Sequence, residues 1–375
     1  MLRLQLPQRR LRLRLLLNKR MSILELAGKA RSKSSKRGLY LIIPIIIAAV
    51  VLCALQRLVV PKYTGEHEEG AYIGEYYGYE DKSFDVIFIG YCEVYDCYDP
   101  IRLWQEYGIN SYVRGSAMQS IWQSYYLAEE MIGEYTPKAI VFNVASIRYD
   151  KPISEAYNRM TLDGMRWSKS KLGAVRSSLT EGETVAGYIF PILCFHSRWS
   201  ELGIDDLRYY FGVPKATYHG YHPIAASVPT GEVPEGIPLA DYDFGDKAME
   251  YMERLRKLCE ENDIELILVK SPSLYPAWYD QYDANIEQYA EENGLTYINM
   301  IEAADALGID YAADTADGGV HINLYGAKKI SDYMGRLLSD SGVPDRRGEP
   351  DLEAIWQEEA DRYEREISGV GNEQH

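Results

Sequence analysis

Five short strand-like runs separated by helix-length segments constrain this chain more than any other feature. They are Phe84-Asp-Val-Ile-Phe-Ile-Gly90, Asn110–Val113, Pro137–Val144, Ile264–Val269 and Thr296–Asn299. The clearest are apolar throughout rather than alternating, the pattern of parallel strands buried on both faces. Between them lie helix signals. Asp99-Pro100 supplies an N-cap and a proline at N1 for a helix running to about Gly108. Gln119 to Glu134, Asp246 to Glu261, Asp283 to Asn293 (with Gly294 as C-cap) and Leu324 to Ser339 carry the helical period. Strand–helix alternation of this kind closes into a parallel sheet with helices on both faces. The expected fold is therefore α/β, a three-layer α/β/α sandwich with a mainly parallel, five-stranded, flavodoxin-like sheet. No internal repeat is visible.

Charge divides the chain. Residues 1–37 hold twelve lysines and arginines against one acid, Glu25, whereas the other 338 residues hold 28 bases and 55 acids, so the net −16 conceals a basic head on an acidic body. Such a head suits nucleic acid, but the next segment argues otherwise. Gly38 to Leu55 carries no charge over 18 residues, near the lower limit for a helix crossing about 30 Å of hydrocarbon. Pro44 is tolerated in a membrane helix. Arg31, Lys33, Lys36 and Arg37 outweigh Arg57 and Lys62 across it, which by the positive-inside rule keeps the N-terminus cytoplasmic and the rest outside the cell membrane. A cleaved signal peptide is the competing reading; Leu52-Cys53-Ala54 lacks its small residue at −3, and Val51 and Leu52 make Cys53 a poor lipoprotein acceptor. The chain thus divides into a basic tail at 1–37, an anchor at 38–56, a polar spacer at 57–80, an outer domain at 81–343 with a helical and loop insertion over about 150–245, and a charged tail at 344–375. Trp356, Tyr363 and Ile367 fit one weak amphipathic helix in that tail. Residues 1–20 are compositionally biased, so either translation starts at Met21 or the segment lies on the inner leaflet. The membrane is an expected partner and nucleic acid is not.

Composition removes other classes. With 46% hydrophobic and 26% charged residues, a mostly disordered chain is excluded. Five scattered cysteines make no disulfide scaffold. Tyrosine outnumbers phenylalanine 32 to 7, which suits a polar-ligand surface and equally suits tyrosine-rich packing.

Ligands of parallel sheets bind at the carboxyl ends of the strands, so the loops after Gly90, Val113, Val144 and Lys270 and the loop before Leu324 should converge. Two of these hold reactive side chains: Gly90-Tyr91-Cys92-Glu93, and Asp317-Gly-Gly-Val-His321-Ile-Asn323. A thiol paired with an imidazole can carry acyl transfer. Against that, a cysteine ending a buried strand is commonly a small core residue, Cys92 and Cys97 are candidates for a disulfide, and His321 can be a structural or helix-capping histidine. His196 reads as a packing histidine. His219 and His222 have no cysteine or carboxylate at ligand spacing, so no metal is expected. Tyr91, Glu93, Arg114, Asn143, Asn158 and Arg159 are candidate substrate contacts, with Arg148 beside them; ordinary pairing is the alternative for the charged ones. There is no Walker sequence, Gly-x-Gly-x-x-Gly or Cys-x-x-Cys, and no cofactor is expected.

These two loops at opposite ends of this topology resemble the SGNH/GDSL hydrolase family, over roughly residues 81–340. In that family a Gly-x-Ser after the first strand supplies the nucleophile and a late Asp-x-x-His supplies base and orienting acid. The chain also resembles the family's membrane-anchored bacterial branch of envelope O-acyl and D-alanyl transfer proteins, whose motif ends in the glutamate that Glu93 matches. The resemblance implies Cys92 as nucleophile, His321 as base, Asp317 as its orienting acid with Asp314 in reserve, and an oxyanion hole from the Cys92 N–H, Gly115 and an asparagine after the third strand. The membrane anchor and the acidic, tyrosine-rich outer domain suggest a cell-wall or capsular glycan as acceptor, and the resemblance implies a membrane-bound O-acyltransferase as the source of the acyl group. The departures are cysteine for serine, Tyr91 beside it, Asp317 four rather than three residues before His321, and Asn143 inside its strand. They leave open a non-catalytic glycan-binding or scaffolding module of the same fold. A cytosolic interaction protein with a false membrane segment is a third reading.

Overall fold

The computed structural model describes residues 42–370, apart from 61, 64–66, 69, 205, 208–214, 232, 234 and 275–277. The expectations for the basic tail, including a start at Met21, fall outside the described residues. Contacts divide the chain into a unit ending at Val59 and a compact unit from Val60. In the first, helix α1 (Ile42–Val59) has 18 residues and a mean hydropathy of 2.5, long and apolar enough to cross a membrane.

The second unit is built on a five-stranded sheet of β1 (Val86–Gly90), β2 (Ser111–Gly115), β3 (Ala139–Asn143), β4 (Glu265–Lys270) and β5 (Thr296–Asn299). All neighbours are parallel and the order is β2-β1-β3-β4-β5. Its helices include, in chain order, α2 (Glu93–Cys97), α3 (Pro100–Tyr107), α4 (Ile121–Ile132), α5 (Glu155–Leu162), α6 (Lys169–Ser178), α7 (Asp246–Glu261), α8 (Asp280–Asn293), α9 (Leu324–Asp340) and α10 (Pro350–Val370). The α/β/α sandwich anticipated from the strand–helix alternation is the observed architecture.

The strands are apolar throughout because both sheet faces are covered. Ile87, Ile89, Ile140, Phe142 and Leu268 point to the layer of α4, α6, α7 and α8, meeting Trp122, Val175, Met252 and Ile286. Phe88, Val113, Val141, Ile267 and Val269 point to the layer of α2, α3, α9 and α10, meeting Val94, Leu103, Met334 and Trp356. Each such buried aliphatic or phenylalanine side chain contributes about 1.5–3 kcal/mol by leaving water. The helix ends follow local chemistry. Asp99 accepts hydrogen bonds from the Ile101 and Arg102 N–H groups to open α3, and Gly108 closes it. At the start of α4 the Ser120 N–H donates to Gln123 Oε1 at 3.0 Å.

Three regions differ from their sequence reading. Within the spacer, residues 71–78 form two short helical turns with Ile73 and Tyr76 buried. The tail helix α10 runs 21 residues. Its Trp356 is 1% exposed, stacked on Trp104 at 5.5 Å and on His219 at 4.0 Å, so it is packed into the fold rather than weakly apposed. In the insertion, α5 and α6 extend the layer beside α4, where Trp122 Nε1 donates to Ser178 Oγ at 3.0 Å. His196, read as a packing histidine, is instead exposed.

Candidate active site

In the order β2-β1-β3-β4-β5 the chain leaves β1 to one side and returns to the other, so the carboxyl ends of β1 and β3 form the topological switch point of the sheet. Gly90 ends β1 with φ +143°, and a Cβ there would come within 3.0 Å of the Asn143 side chain; only glycine lets the strand turn so close to β3. Two residues on, Cys92 is the N-cap of α2, 8% exposed. Gly115, at the end of β2, touches the same turn: a Cβ there would strike Val94 of α2.

The second loop is a narrow reversal pinned by a Thr315–Ile322 bridge and by the Ala316 N–H donating to the His321 carbonyl at 2.9 Å. Gly318 and Gly319 both take positive φ, +81° and +109°, conformations that side chains disfavour. They fold Asp317 back on the residues that follow. Its Oδ1 accepts from the His321 N–H at 2.8 Å and the Val320 N–H at 3.2 Å, and its Oδ2 lies 2.6 Å from His321 Nδ1. The four-residue spacing therefore still brings the carboxylate to the ring. On the other side of the ring, Nε2 lies 3.7 Å from Cys92 Sγ, across 229 residues of sequence. Asp314 takes no part: it pairs with Lys329 and accepts from the Asp310 N–H.

The charges around this Cys–His–Asp array are uneven. Burial alone would raise the Asp317 carboxyl, but the two N–H groups and the His321 ring outweigh it and hold the carboxyl below its usual value. With Asp317 ionised, Nδ1 is the ring nitrogen that donates to it, which turns Nε2 toward the thiol. Burial, followed by the Glu93 carboxylate, pushes the Cys92 thiol well above its ordinary value, so Cys92 rests as a neutral thiol. The activated thiolate expected of a reactive cysteine is not its resting form. Asp96 is 2% exposed and its Oδ1 has no hydrogen-bond partner. Burial, with Asp317 and Glu93 nearby, raises its carboxyl far above normal.

The candidate substrate contacts separate into two groups. Tyr91 packs against Cys92, its hydroxyl donating to Met118 Sδ and the Arg148 guanidinium 5.5 Å from its ring centre. Glu93 and Asn143 reach the site but bind each other: Asn143 Nδ2 donates to Glu93 Oε2 at 2.9 Å and to Ser271 Oγ at 3.0 Å. Both amide hydrogens are thereby used, so Asn143 offers none to an oxyanion. Arg114, Asn158 and Arg159 lie elsewhere. Arg114 is fully buried against Glu130 at 3.2 Å with its guanidinium over Tyr76. Asn158 bonds to the Ser178 carbonyl, and Arg159 pairs with Glu155 and Asp163. Cys92 and Cys97 are both free thiols. His219 is buried, which lowers its imidazole to about 3, and His222 stacks on Tyr72; among the described residues no group of three metal-ligating side chains converges. Sequence reading missed Asp96 and Lys270. The one available signal was their position, four residues past Cys92 on α2 and at the last residue of β4.

No family model and no curated protein matches this chain. A solved Bacteroides fragilis structure, provisionally named an acylhydrolase, is similar to it at a TM-score of 0.34 and 12% identity, over 77% of this chain and 94% of that one. A likeness this distant does not bear on the site, whose reading rests on its own residues.

Proposed function

We propose that the chain is a membrane-anchored acyl-ester enzyme of SGNH type, acting outside the cell on an envelope glycan. One observation carries this reading: Cys92 Sγ, His321 Nε2, His321 Nδ1 and Asp317 Oδ2 form one chain of contacts, 3.7 Å and 2.6 Å long, at the switch point of the sheet. Because the thiol rests protonated, His321 takes its proton as sulfur attacks the ester carbonyl, rather than before. The C–S bond forms as the carbonyl electrons move to oxygen, with the N–H groups of Cys92 and Gly115 as the proposed donors to that oxyanion. Collapse releases the alcohol, which takes the proton from His321, and leaves a thioester. Water or a sugar hydroxyl then gives its proton to His321 and attacks; the C–S bond breaks and sulfur recovers the proton. Water makes the protein an esterase and a sugar hydroxyl makes it an O-acyltransferase, supplied by a membrane-bound O-acyltransferase.

Intact-mass spectrometry after brief exposure to an activated acetyl ester tests this. The expected result is one acetyl adduct on Cys92 that turns over and is lost in Cys92→Ala and slowed in His321→Ala. Labelling indifferent to His321 overturns it. A second reading, a non-catalytic glycan-binding module, draws on the burial of Cys92 and on Tyr91 packed beside it, and predicts that indifferent labelling.

A further inference from the structure

Glu93 is joined to Cys92 by the backbone, yet its side chain runs beneath the site. Its two oxygens accept from Lys270 Nζ at 2.8 and 2.9 Å, and one also accepts from Asn143. Lys270 Nζ donates a further bond to the Ser271 carbonyl at 2.7 Å. The Lys270 side chain is 2% exposed and that of Glu93 12%. Asn143 and Lys270 are the last residues of β3 and β4, so one carboxylate ties the Cys92 turn to the ends of two central strands. A buried ion pair is weak evidence of stability, since desolvation offsets most of the attraction; its location next to the thiol gives it another consequence. Cys92 is faced by Glu93 and Asp96 from α2, by Arg148 from the turn after β3, by His321 from the loop before α9, and by Tyr91 and Tyr95. Of the two acids, Glu93 is the one whose side chain a buried cation holds.

We propose that Glu93 and Lys270 are positioning residues for Cys92, the carboxylate fixing the thiol-bearing turn on the strand ends and the ammonium cancelling the charge this carboxylate turns on the sulfur. The inference assigns to Glu93 a role beneath the nucleophile in place of the substrate contact expected from the sequence. It rests on the reading of Cys92 as the reacting group. Its test uses no acyl chemistry, so the two can fail separately.

The measurement is the rate of Cys92 alkylation by iodoacetamide in the full chain in mild detergent, resolved by peptide mass spectrometry between pH 6 and 10. Cys97 and Cys259, both buried, report loosening of the fold, and exposed Cys194 reports reagent activity. Lys270→Met leaves Glu93 uncompensated and should slow Cys92 at pH 8 about tenfold, the change that one unit in a thiol's pKa brings below its midpoint. Glu93→Gln leaves the ammonium uncompensated and should speed it by a similar factor. The double variant should return to within about threefold of the parent. Opposite signs from the two halves of one pair are what a purely structural role does not produce. Same-sign changes, or single-variant rates within twofold of the parent, overturn the proposal. If Lys270→Met does not fold, the comparison of Glu93→Gln with the double variant decides: faster in the first and restored in the second is required, and equal rates overturn it.

Discussion

Replacing Asp96 with asparagine should stabilise the protein, by an amount that grows with pH. Asp96 is 2% exposed, its Oδ1 is unpartnered, and Asp317 and Glu93 lie near it. In the unfolded chain its carboxyl ionises near the ordinary aspartate value of about 3.9. In the folded chain burial and the two neighbouring acids keep it protonated well above that value. Below pH ~4 both states hold the proton and pH changes nothing. Above it the unfolded state gives the proton up and the folded state does not, so each pH unit favours unfolding by about 1.4 kcal/mol for this one site. Asparagine has the same shape and no proton to lose. The advantage of Asp96→Asn over the parent should therefore climb by about 1.4 kcal/mol per pH unit from pH ~4 until Asp96 ionises in the folded state. Against a folding stability of about 5–15 kcal/mol this is readily measured. The assay is urea unfolding of parent and variant at pH 4.5, 5.5 and 6.5 in the same detergent, comparing extrapolated stabilities. A difference flat across that range, or one that turns in favour of the parent as pH rises, would refute the reasoning and mean that Asp96 is already ionised and paired in the folded protein.

Two further outcomes are expected. Asp317→Asn keeps the loop shape but removes the charge that holds the Nδ1 proton; a charge-assisted bond of about 1.5–3 kcal/mol, discounted because His321 and Asp317 are 35% and 42% exposed, corresponds to about a 10- to 50-fold fall in Cys92 acylation rate, read by stopped-flow with an activated ester. Trp356→Ala removes the ring between Trp104 and His219 and should cost about 3–5 kcal/mol in urea unfolding, with new proteolytic cleavage within α10; unchanged stability would show that the helix is only apposed.

The sequence alone fixed the architecture, because the information is local. A strand such as Val86–Gly90 is apolar at every position only if both faces are covered, and caps such as Asp99 and Gly294 mark helix ends within one turn of chain. The same locality made the long apolar helix α1 legible and brought Cys92 and the His321 loop to one end of the sheet, since strand ends converge in this topology. Side-chain partners were not legible. Arg114 next to a strand-end glycine looks the same in sequence whether it faces substrate or Glu130; its alternation on β2 sends it into the core layer, where only a buried acid can accompany it. Glu93 and Lys270 are 177 residues apart, and no local pattern announces that their charges meet. Nor could spacing say that Asp317, one residue out of register, reaches His321, which depends on two successive glycines at positive φ. Secondary structure follows from near neighbours and burial pattern, and was readable. The protonation of Cys92, the loss of Asn143 as a free donor and the pairing beneath the thiol follow from distances between remote segments, and only the tertiary structure decided them.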